Sequence, residues 1–182
     1  MSLIALTIAA SAIAMPQAQM TANPMVGGMP MMANKNIVEN AVNSKDHTTL
    51  VAAVKAAGLA EALQGKGPFT VFAPVNSAFD ALPAGTVDTL LKPENKPMLT
   101  KVLTYHVVSG KYDYKAISEA IKKGNGTATM KTLSGGNLMA MWNGPINIVI
   151  KDEKGGIASI STYDVMQSNG VIHVVNQVLM PN

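Results

Sequence analysis

The chain has 182 residues, 48% of them hydrophobic, with a formal net charge of +3 and no cysteine. This length is enough for one full hydrophobic core, and the lack of cysteine excludes disulfides, thiol catalysis and a lipid-anchored N-terminal cysteine. Every basic residue is lysine, and aromatic residues make up only 4% of the chain. Nucleic acid is not an expected partner, because the chain lacks the arginine forks and aromatic surfaces that bind phosphates and stack on bases.

The first 34 residues differ from the rest in charge, because all 14 lysines and all 11 acidic residues lie from Lys35 onward. Residues 3–14 form an apolar run that has the length of a signal peptide and is too short to span a bilayer. The run ends at Ala12-Ile13-Ala14, which suits a cleavage site, but the usual basic residues at its start are absent, which leaves a truncated or misassigned start open. We expect a signal peptide over residues 1–18, no transmembrane segment in the mature chain, and a secreted or periplasmic protein.

Residues 19–34 are rich in Met, Pro and Gly and show neither a helical nor an alternating period. This composition predicts a flexible linker, so residues 1–34 are expected to contribute little to the fold. Four of its methionines are Met25, Met29, Met31 and Met32. Thioether sulfur is a soft ligand for copper(I), and an alternative hypothesis is therefore a periplasmic copper-binding protein. A linker that merely tolerates methionine explains the same pattern.

In the first half of the remaining chain, helices surround one short strand. An amphipathic helix is predicted after the possible caps Thr48 and Thr49, because apolar residues recur at helical spacing, and Gly58 stops it; the apolar residues are Leu50, Val51, Val54 and Ala57. A turn over residues 65–68 precedes a short apolar strand over residues 69–73. Asn76 is expected to cap the helical turn that follows.

The second half begins with two helices and continues with strands. Helical spacing predicts a helix from near Pro93 to His106, and Asp113 caps a further helix that ends at Lys123. Turn residues at regular distances then predict an antiparallel meander. Its strands cover residues 127–133, 137–142, 147–151, 157–161 and 171–175. Helices first and strands later indicate one α+β domain over residues 35–182, with an antiparallel β-sandwich or wedge flanked by several short helices.

Two sequence blocks and a short motif between them resemble the signatures of the fasciclin domain family. The blocks are residues 70–82 and 169–181, and the motif is the pair Tyr105-His106. The resemblance implies a fasciclin-like fold and an extracellular adhesion or recognition module rather than an enzyme. The last block and residues 91–96 are most similar to bacterial secreted single-domain members.

The resemblance also implies a structural role for the residues that tie the first block to the last. These residues are Thr70, Asn76, Phe79, His106 and His173.

In animal members of the family, the adhesion surface includes an Asp-Ile pair and the Tyr-His pair. The candidate binding residues in this chain are therefore Tyr105, His106, Asp164 and Val165, with valine in place of the isoleucine. Asp164 has an alternative role as the cap of a helix or turn.

The three histidines, His47, His106 and His173, lie in different predicted elements and lack the spacing of a zinc site. No metal or cofactor is expected, and His106 and His173 are predicted to be buried, neutral and hydrogen-bonded. A third hypothesis is a hydrolase that uses Ser77, His106 and Asp80. The sequence does not contain the Gly-x-Ser-x-Gly elbow that would support it. The sequence thus predicts a non-catalytic module that recognises an extracellular protein or carbohydrate, as a monomer or with weak self-association.

Overall fold

The structure, a computed structural model, describes residues 23–182. The predicted signal peptide and residues 19–22 of the predicted linker lie outside this range. The helices of the described chain are α1 (Ile37–Ala41), α2 (Thr48–Ala57), α3 (Ala60–Gln64), α4 (Asn76–Asp80), α5 (Thr86–Leu91), α6 (Lys96–Tyr105) and α7 (Tyr114–Lys123). Its strands are β1 (Met25–Val26), β2 (Met29–Pro30), β3 (Phe69–Pro74), β4 (Val107–Ser109), β5 (Thr127–Lys131), β6 (Asn137–Asn143), β7 (Asn147–Lys151), β8 (Ile157–Gln167) and β9 (Gly170–Val175).

Strands β3 to β9 form one seven-stranded sheet in the order β4-β3-β9-β8-β7-β6-β5. The meander from β5 to β9 is antiparallel, and the predicted α+β class is confirmed. The exception is the pair β3 and β9, which runs parallel with Phe69 opposite Gly170 and Pro74 opposite Val175. This pair places the first and last sequence blocks side by side in the sheet, between β4 and β8.

The two edge strands of the sheet, β4 and β5, approach each other. Val108 in β4 forms an isolated antiparallel bridge with Thr132, one residue beyond β5. The amide nitrogen of Leu133 donates to the carbonyl oxygen of Val107 over 2.8 Å. The sheet is therefore nearly closed into a barrel, which satisfies part of the backbone that an open edge would expose.

Strands β3 and β9 separate two hydrophobic cores. Val71 and Ala73 face a core formed with the helices α1 to α6, whereas Phe72 faces a second core inside the sheet, under α7. All six residues of β9 are buried. Strands covered on both faces have nearly continuous apolar sequences, which explains why β3 and β9 are apolar except for the buried Thr70 and His173.

The segment that precedes α1 is part of the folded domain, which differs from the predicted flexible linker. β1 and β2 form a hairpin across Gly27 and Gly28, both at positive φ. Val26 and Met31 are only 7% and 2% exposed and belong to the helical core. The Asn40 side chain accepts from the amide of Met32 over 3.0 Å and donates to its carbonyl over 2.8 Å. Two buried side chains and these hydrogen bonds hold the segment against the domain, although its composition alone predicted a flexible linker.

The helix boundaries largely follow the predicted caps. Gly58 ends α2 in the left-handed conformation, with φ of 72°, and Asp113 caps α7 by accepting from the amide of Ala116 over 2.8 Å. Within residues 23–182, every helix is too short or too polar to cross a membrane.

Candidate functional site

His106 is buried at the C-terminal end of α6 and both of its ring nitrogens bind backbone. Nδ1 donates to the carbonyl oxygen of Val102 over 2.8 Å, and Nε2 accepts from the amide of Leu179 over 2.9 Å. Burial lowers the pKa of His106 to about 4, against smaller raising effects of the Val102 carbonyl and of Asp152. The ring is therefore neutral, and it joins α6 to the C-terminal segment.

Tyr105, the neighbour of His106, is fully buried in the core inside the sheet. Its hydroxyl donates to the carbonyl oxygen of Asn137 over 2.7 Å and accepts from the amide of Glu153 over 3.0 Å. Burial raises the pKa of Tyr105 to about 12. The Tyr-His pair thus fastens the end of α6 in two directions, through Tyr105 to the sheet around Asn137 and Glu153 and through His106 to the C-terminal segment at Leu179.

His173 is the equivalent fastener on β9. Nε2 donates to the carbonyl oxygen of Tyr112 over 2.7 Å, and Nδ1 accepts from the amide of Asp164 at 3.4 Å. The ring stacks on Phe72 with centroids 5.7 Å apart. Burial lowers the pKa of His173, although Tyr112, Asp164 and Asp113 act in the opposite direction. His173 is therefore a neutral, fully engaged residue like His106.

Asp164 lies at an irregularity of β8, where its φ of 54° puts the backbone in the left-handed region. Its Oδ1 accepts from the amide of Tyr114 over 2.7 Å, so a carboxylate from the sheet satisfies the first residue of α7. Asp113 binds another amide of the same helix end, that of Ala116. Asp164 is thus a helix cap supplied across space, and its side chain is only partly buried.

The four candidate binding residues do not form one exposed surface. Tyr105, His106 and Val165 are 0%, 2% and 1% exposed, so their side chains cannot reach a partner of the folded domain. The physical reason is that each fills one of the two cores or binds backbone within it. Asp164 alone among the four reaches solvent.

The remaining motif residues also hold elements together. The buried hydroxyl of Thr70 donates to the carbonyl of Gly110 over 2.7 Å and accepts from the amide of Tyr112 over 2.8 Å. Phe79 is buried in the helical core. Asn76 was expected to cap its own helix, but the cap of α4 has no side-chain hydrogen bond.

Asn76 instead caps α2. Its Oδ1 accepts from the amide of Thr49 over 3.1 Å and from the hydroxyl of Thr48 over 3.2 Å, while Nδ2 donates to the carbonyl of Lys45 over 2.9 Å. The preceding strand ends at Pro74, and this brings the start of α4 beside the start of α2. Asn76 is therefore a helix cap, as expected, but it caps α2 instead of its own helix α4.

The hydrolase hypothesis fails at its histidine. Ser77 and Asp80 are exposed on α4, whereas His106 is buried and its two nitrogens already bind Val102 and Leu179. The Ser77, His106 and Asp80 trio is therefore not assembled.

The copper hypothesis loses one of its four ligands. Met31 is 2% exposed within the helical core, while Met25 is 61% exposed. The sulfur of Met32 accepts from the side-chain amide of Asn23 at 3.3 Å. The four methionines thus face different environments, from the buried Met31 to the exposed Met25.

The sequence did not reveal the structural roles of Asn169 and His47. Asn169 donates to the carbonyls of Leu63 and Gly65 over 2.7 and 3.0 Å and accepts from the amide of Ile37 over 3.1 Å, so it joins α1, α3 and the β8–β9 turn. His47 is 3% exposed, and its Nδ1 bonds to the hydroxyl of Ser44 over 2.8 Å. Burial lowers the pKa of His47. In the sequence, Asn169 was assigned to an Asn-Gly turn. That assignment accounts for its backbone conformation and did not indicate the hydrogen bonds of its side chain.

An open groove of about 850 Å³ lies between α7 and the β6–β7 turn. Its floor includes Trp142, the only tryptophan of the chain, and Tyr114, with ring centroids 6.3 Å apart and planes at 74°. Lys115, Glu119 and Lys122 line it from α7. The sequence did not reveal this groove, because its walls come from segments about 25 residues apart whose pairing depends on the sheet.

The folded chain belongs to the fasciclin domain family, since the Fasciclin domain model matches residues 45–181. Protein sll1483 of Synechocystis sp. is 47% identical over 147 residues, which cover 80% of this chain and 73% of that protein. Immunogenic protein MPB70 of Mycobacterium bovis is 32% identical over 155 residues, covering 82% of this chain and 71% of MPB70. These relatives are consistent with the predicted bacterial single-domain member.

Animal relatives match over a small part of their own length. Transforming growth factor-beta-induced protein ig-h3 of Sus scrofa is 37% identical over 132 residues, which cover 72% of this chain and 17% of that protein. A solved FAS1 domain pair from the insect cell adhesion molecule Fasciclin I superposes with a TM-score of 0.69 at 16% identity, over 80% of this chain and 51% of that one. The superposition confirms the fasciclin-like fold.

Proposed function

We propose that this protein is an exported, non-catalytic adhesion or surface-recognition module that binds an extracellular protein or carbohydrate. The observation that carries the proposal is that three signature side chains of the family form hydrogen bonds to backbone groups inside the domain. His106, His173 and Tyr105 each bind backbone groups inside the fold, and His106 is neutral, so none of the three side chains is free to act on a substrate. This supports a recognition module rather than an enzyme.

The names of relatives support the same function. The solved neighbour is called an insect cell adhesion molecule, and a 32% identical relative from Mycobacterium bovis is named cell surface glycolipoprotein MPB83. An exported location, secreted or periplasmic, follows for this chain if its apolar N-terminal run is a signal peptide. Mass spectrometry of the mature protein tests this directly, since a start between residues 15 and 19, with the apolar run removed, supports export and an intact N-terminus contradicts it.

We place one partner contact at Asp164. Its carboxylate is partly exposed beside the start of α7, and it is the candidate binding residue that a partner can touch. Asp164→Asn keeps an oxygen for the Tyr114 amide and tolerates the positive φ, so it removes the charge and leaves the cap in place.

The test uses beads coated with the full-length protein and measures their attachment to cell envelopes and to extracellular matrix. Attachment should be saturable, and free protein should compete with it. Asp164→Asn should weaken attachment without changing the melting temperature. Asp113→Asn is the matched control, because it alters the neighbouring cap of the same helix in the same way and should leave attachment unchanged. If no surface retains the beads above the level of uncoated beads, the proposed function is wrong.

A further inference from the structure

The groove between α7 and the β6–β7 turn has the size of a small-molecule site. Its volume of about 850 Å³ lies within the ~300–1,000 Å³ that ligand sites usually occupy. Two aromatic rings, Tyr114 and Trp142, provide flat apolar surface, and two amines and one carboxylate of α7 stand along its side. Among the residues that line it in the described chain, none is Leu, Ile, Val or Met.

The aromatic wall of the groove is fixed before any ligand arrives. Tyr114 packs edge-to-face on Tyr163 with centroids 5.1 Å apart, and its hydroxyl donates to the carbonyl of Ile146 over 2.9 Å. The hydroxyl of Tyr163 accepts from the amide of Ile148 over 2.8 Å. Asp164 holds the backbone of Tyr114 from the other side. A rigid wall costs a ligand little ordering free energy.

This combination favours a sugar over the other common ligands. An acyl chain or an apolar peptide side chain would need aliphatic walls, which the groove lacks. A polyanion would find only a weak net attraction, because Glu119 lies between Lys115 and Lys122 on the helix and offsets part of their positive charge. A pyranose ring offers one flat C–H face for an aromatic ring and a rim of hydroxyls that both donate and accept hydrogen bonds, and the amines and the carboxylate of α7 match that rim.

We infer that the groove formed by Tyr114, Trp142, Lys115, Glu119 and Lys122 binds a neutral oligosaccharide of β-1,4-linked pyranoses with equatorial substituents. Equatorial substitution leaves the axial C–H bonds free to lie against the indole face. The inference rests on the proposed recognition function and names the class of ligand. The shared chemistry is found both in glucose oligomers and in N-acetylglucosamine oligomers.

The single tryptophan reports directly on the groove, because all tryptophan emission of the chain comes from Trp142. Cellotetraose and chitotetraose are added separately to the full-length protein. At least one should change the emission saturably and give matching heat in calorimetry. A response to both indicates recognition of the ring faces, and a response to chitotetraose alone adds recognition of the acetamido group. Both results support the inference.

Variants assign the binding to this groove. Trp142→Ala should lower the affinity at least about tenfold, as expected of an aromatic anchor. Trp142 also packs on the core, so Glu119→Ala and Lys122→Ala provide exposed variants that should fold normally and weaken binding severalfold. Lys123→Ala, on the adjacent exposed position outside the groove, is the matched control and should bind like the wild type.

The inference is overturned if neither tetrasaccharide binds at millimolar concentration, or if Glu119→Ala and Lys122→Ala bind as tightly as Lys123→Ala. The bead assay separates this failure from that of the proposed function. Beads that attach to envelopes without any response to either sugar leave the adhesion function standing and remove the sugar. Sugar binding by beads that attach to nothing removes adhesion and keeps the sugar site.

Discussion

At the scale of single residues, the polar side chains of the signature motifs act as crosslinks. His106, His173 and Thr70 each bind backbone atoms of elements far away in the sequence. A hydrogen bond of this kind is worth about 0.5–1.5 kcal/mol when made, but a buried group left without its partner costs about 1–3 kcal/mol. The value of these residues therefore appears most clearly when one of them is removed or protonated.

Acid should destabilise the domain through its buried histidines. The pKa of His106 falls from 6.5 in the unfolded chain to about 4 in the folded one, so the folded state binds fewer protons. The contribution of His106 is complete above pH 6.5 and declines as the pH falls from there to about 4, by a total of about 3 kcal/mol. The lowered pKa values of His47 and His173 act in the same direction. Urea unfolding at a series of pH values measures the effect.

Replacement of His106 measures how much this residue contributes to the pH dependence of stability. His106→Ala strands the amide of Leu179 and should lower the free energy of unfolding at pH 7.5 by about 1–3 kcal/mol. The variant should also lose less stability than the wild type between pH 6.5 and 4. Ser77→Ala, an exposed change, serves as the control and should follow the wild type. An NMR titration that gave His106 a pKa above 7 would contradict the structural role.

At the scale of elements, local signals predicted what local chemistry decides. The cap at Asp113, the stop at Gly58 and the turns of the meander follow from residue types and were correctly placed. The partner of a side chain is not a local property, and this is why Asn76 was given to the wrong helix. The hairpin of β1 and β2 was missed for the same reason, since Val26 and Met31 gain their burial only from α1 and the sheet.

Asn76 should stabilise α2 through its oxygen. Asn76→Ala removes the acceptor for the amide of Thr49 and should cost about 1–2 kcal/mol in thermal or urea unfolding. Asn76→Asp keeps that oxygen and loses only the bond to Lys45, so it should lie between the alanine variant and the wild type. Equal stability of all three proteins would show that α2 does not depend on this cap.

Met31 should behave as a core residue despite its position before the first helix. Met31→Ala removes a side chain that is 2% exposed and should cost about 2–5 kcal/mol. Met25→Ala, at 61% exposure in the same hairpin, should change stability by less than about 0.5 kcal/mol. If the two variants unfolded at the same urea concentration, the segment would be the loose linker that its composition indicates.

At the scale of the whole molecule, the fold depends on contacts between its ends. The family resemblance predicted the fold class and placed the two blocks, but neither period nor turn type specifies that β3 and β9 pair in parallel or that β4 meets the end of β5. The groove at Trp142 was invisible for the same reason, because it exists only once α7 is packed across the meander. Long-range pairing is set by the packing of all layers together.

Asn169 tests this dependence, because it binds residues more than 100 positions earlier in the chain. Asn169→Ala breaks three hydrogen bonds and should lower the free energy of unfolding by about 2–4 kcal/mol. Ser168→Ala, on the exposed neighbouring position, should be silent. Hydrogen exchange gives a second measurement, since the amide of Ile37 should lose protection in the alanine variant alone.

The parallel pairing of β3 with β9 also affects the order in which the sheet can form during biosynthesis. A ribosome completes Phe69 of β3 about a hundred residues before Gly170, its neighbour on β9. At roughly 5–20 residues per second, β3 is without its parallel neighbour β9 for about 5 to 20 seconds. The nascent polypeptide can build α2 and the β5–β7 hairpins in that interval, but the sheet still lacks β9, which joins β3 to β8. Completion therefore belongs to the last moments of synthesis or to the time after release.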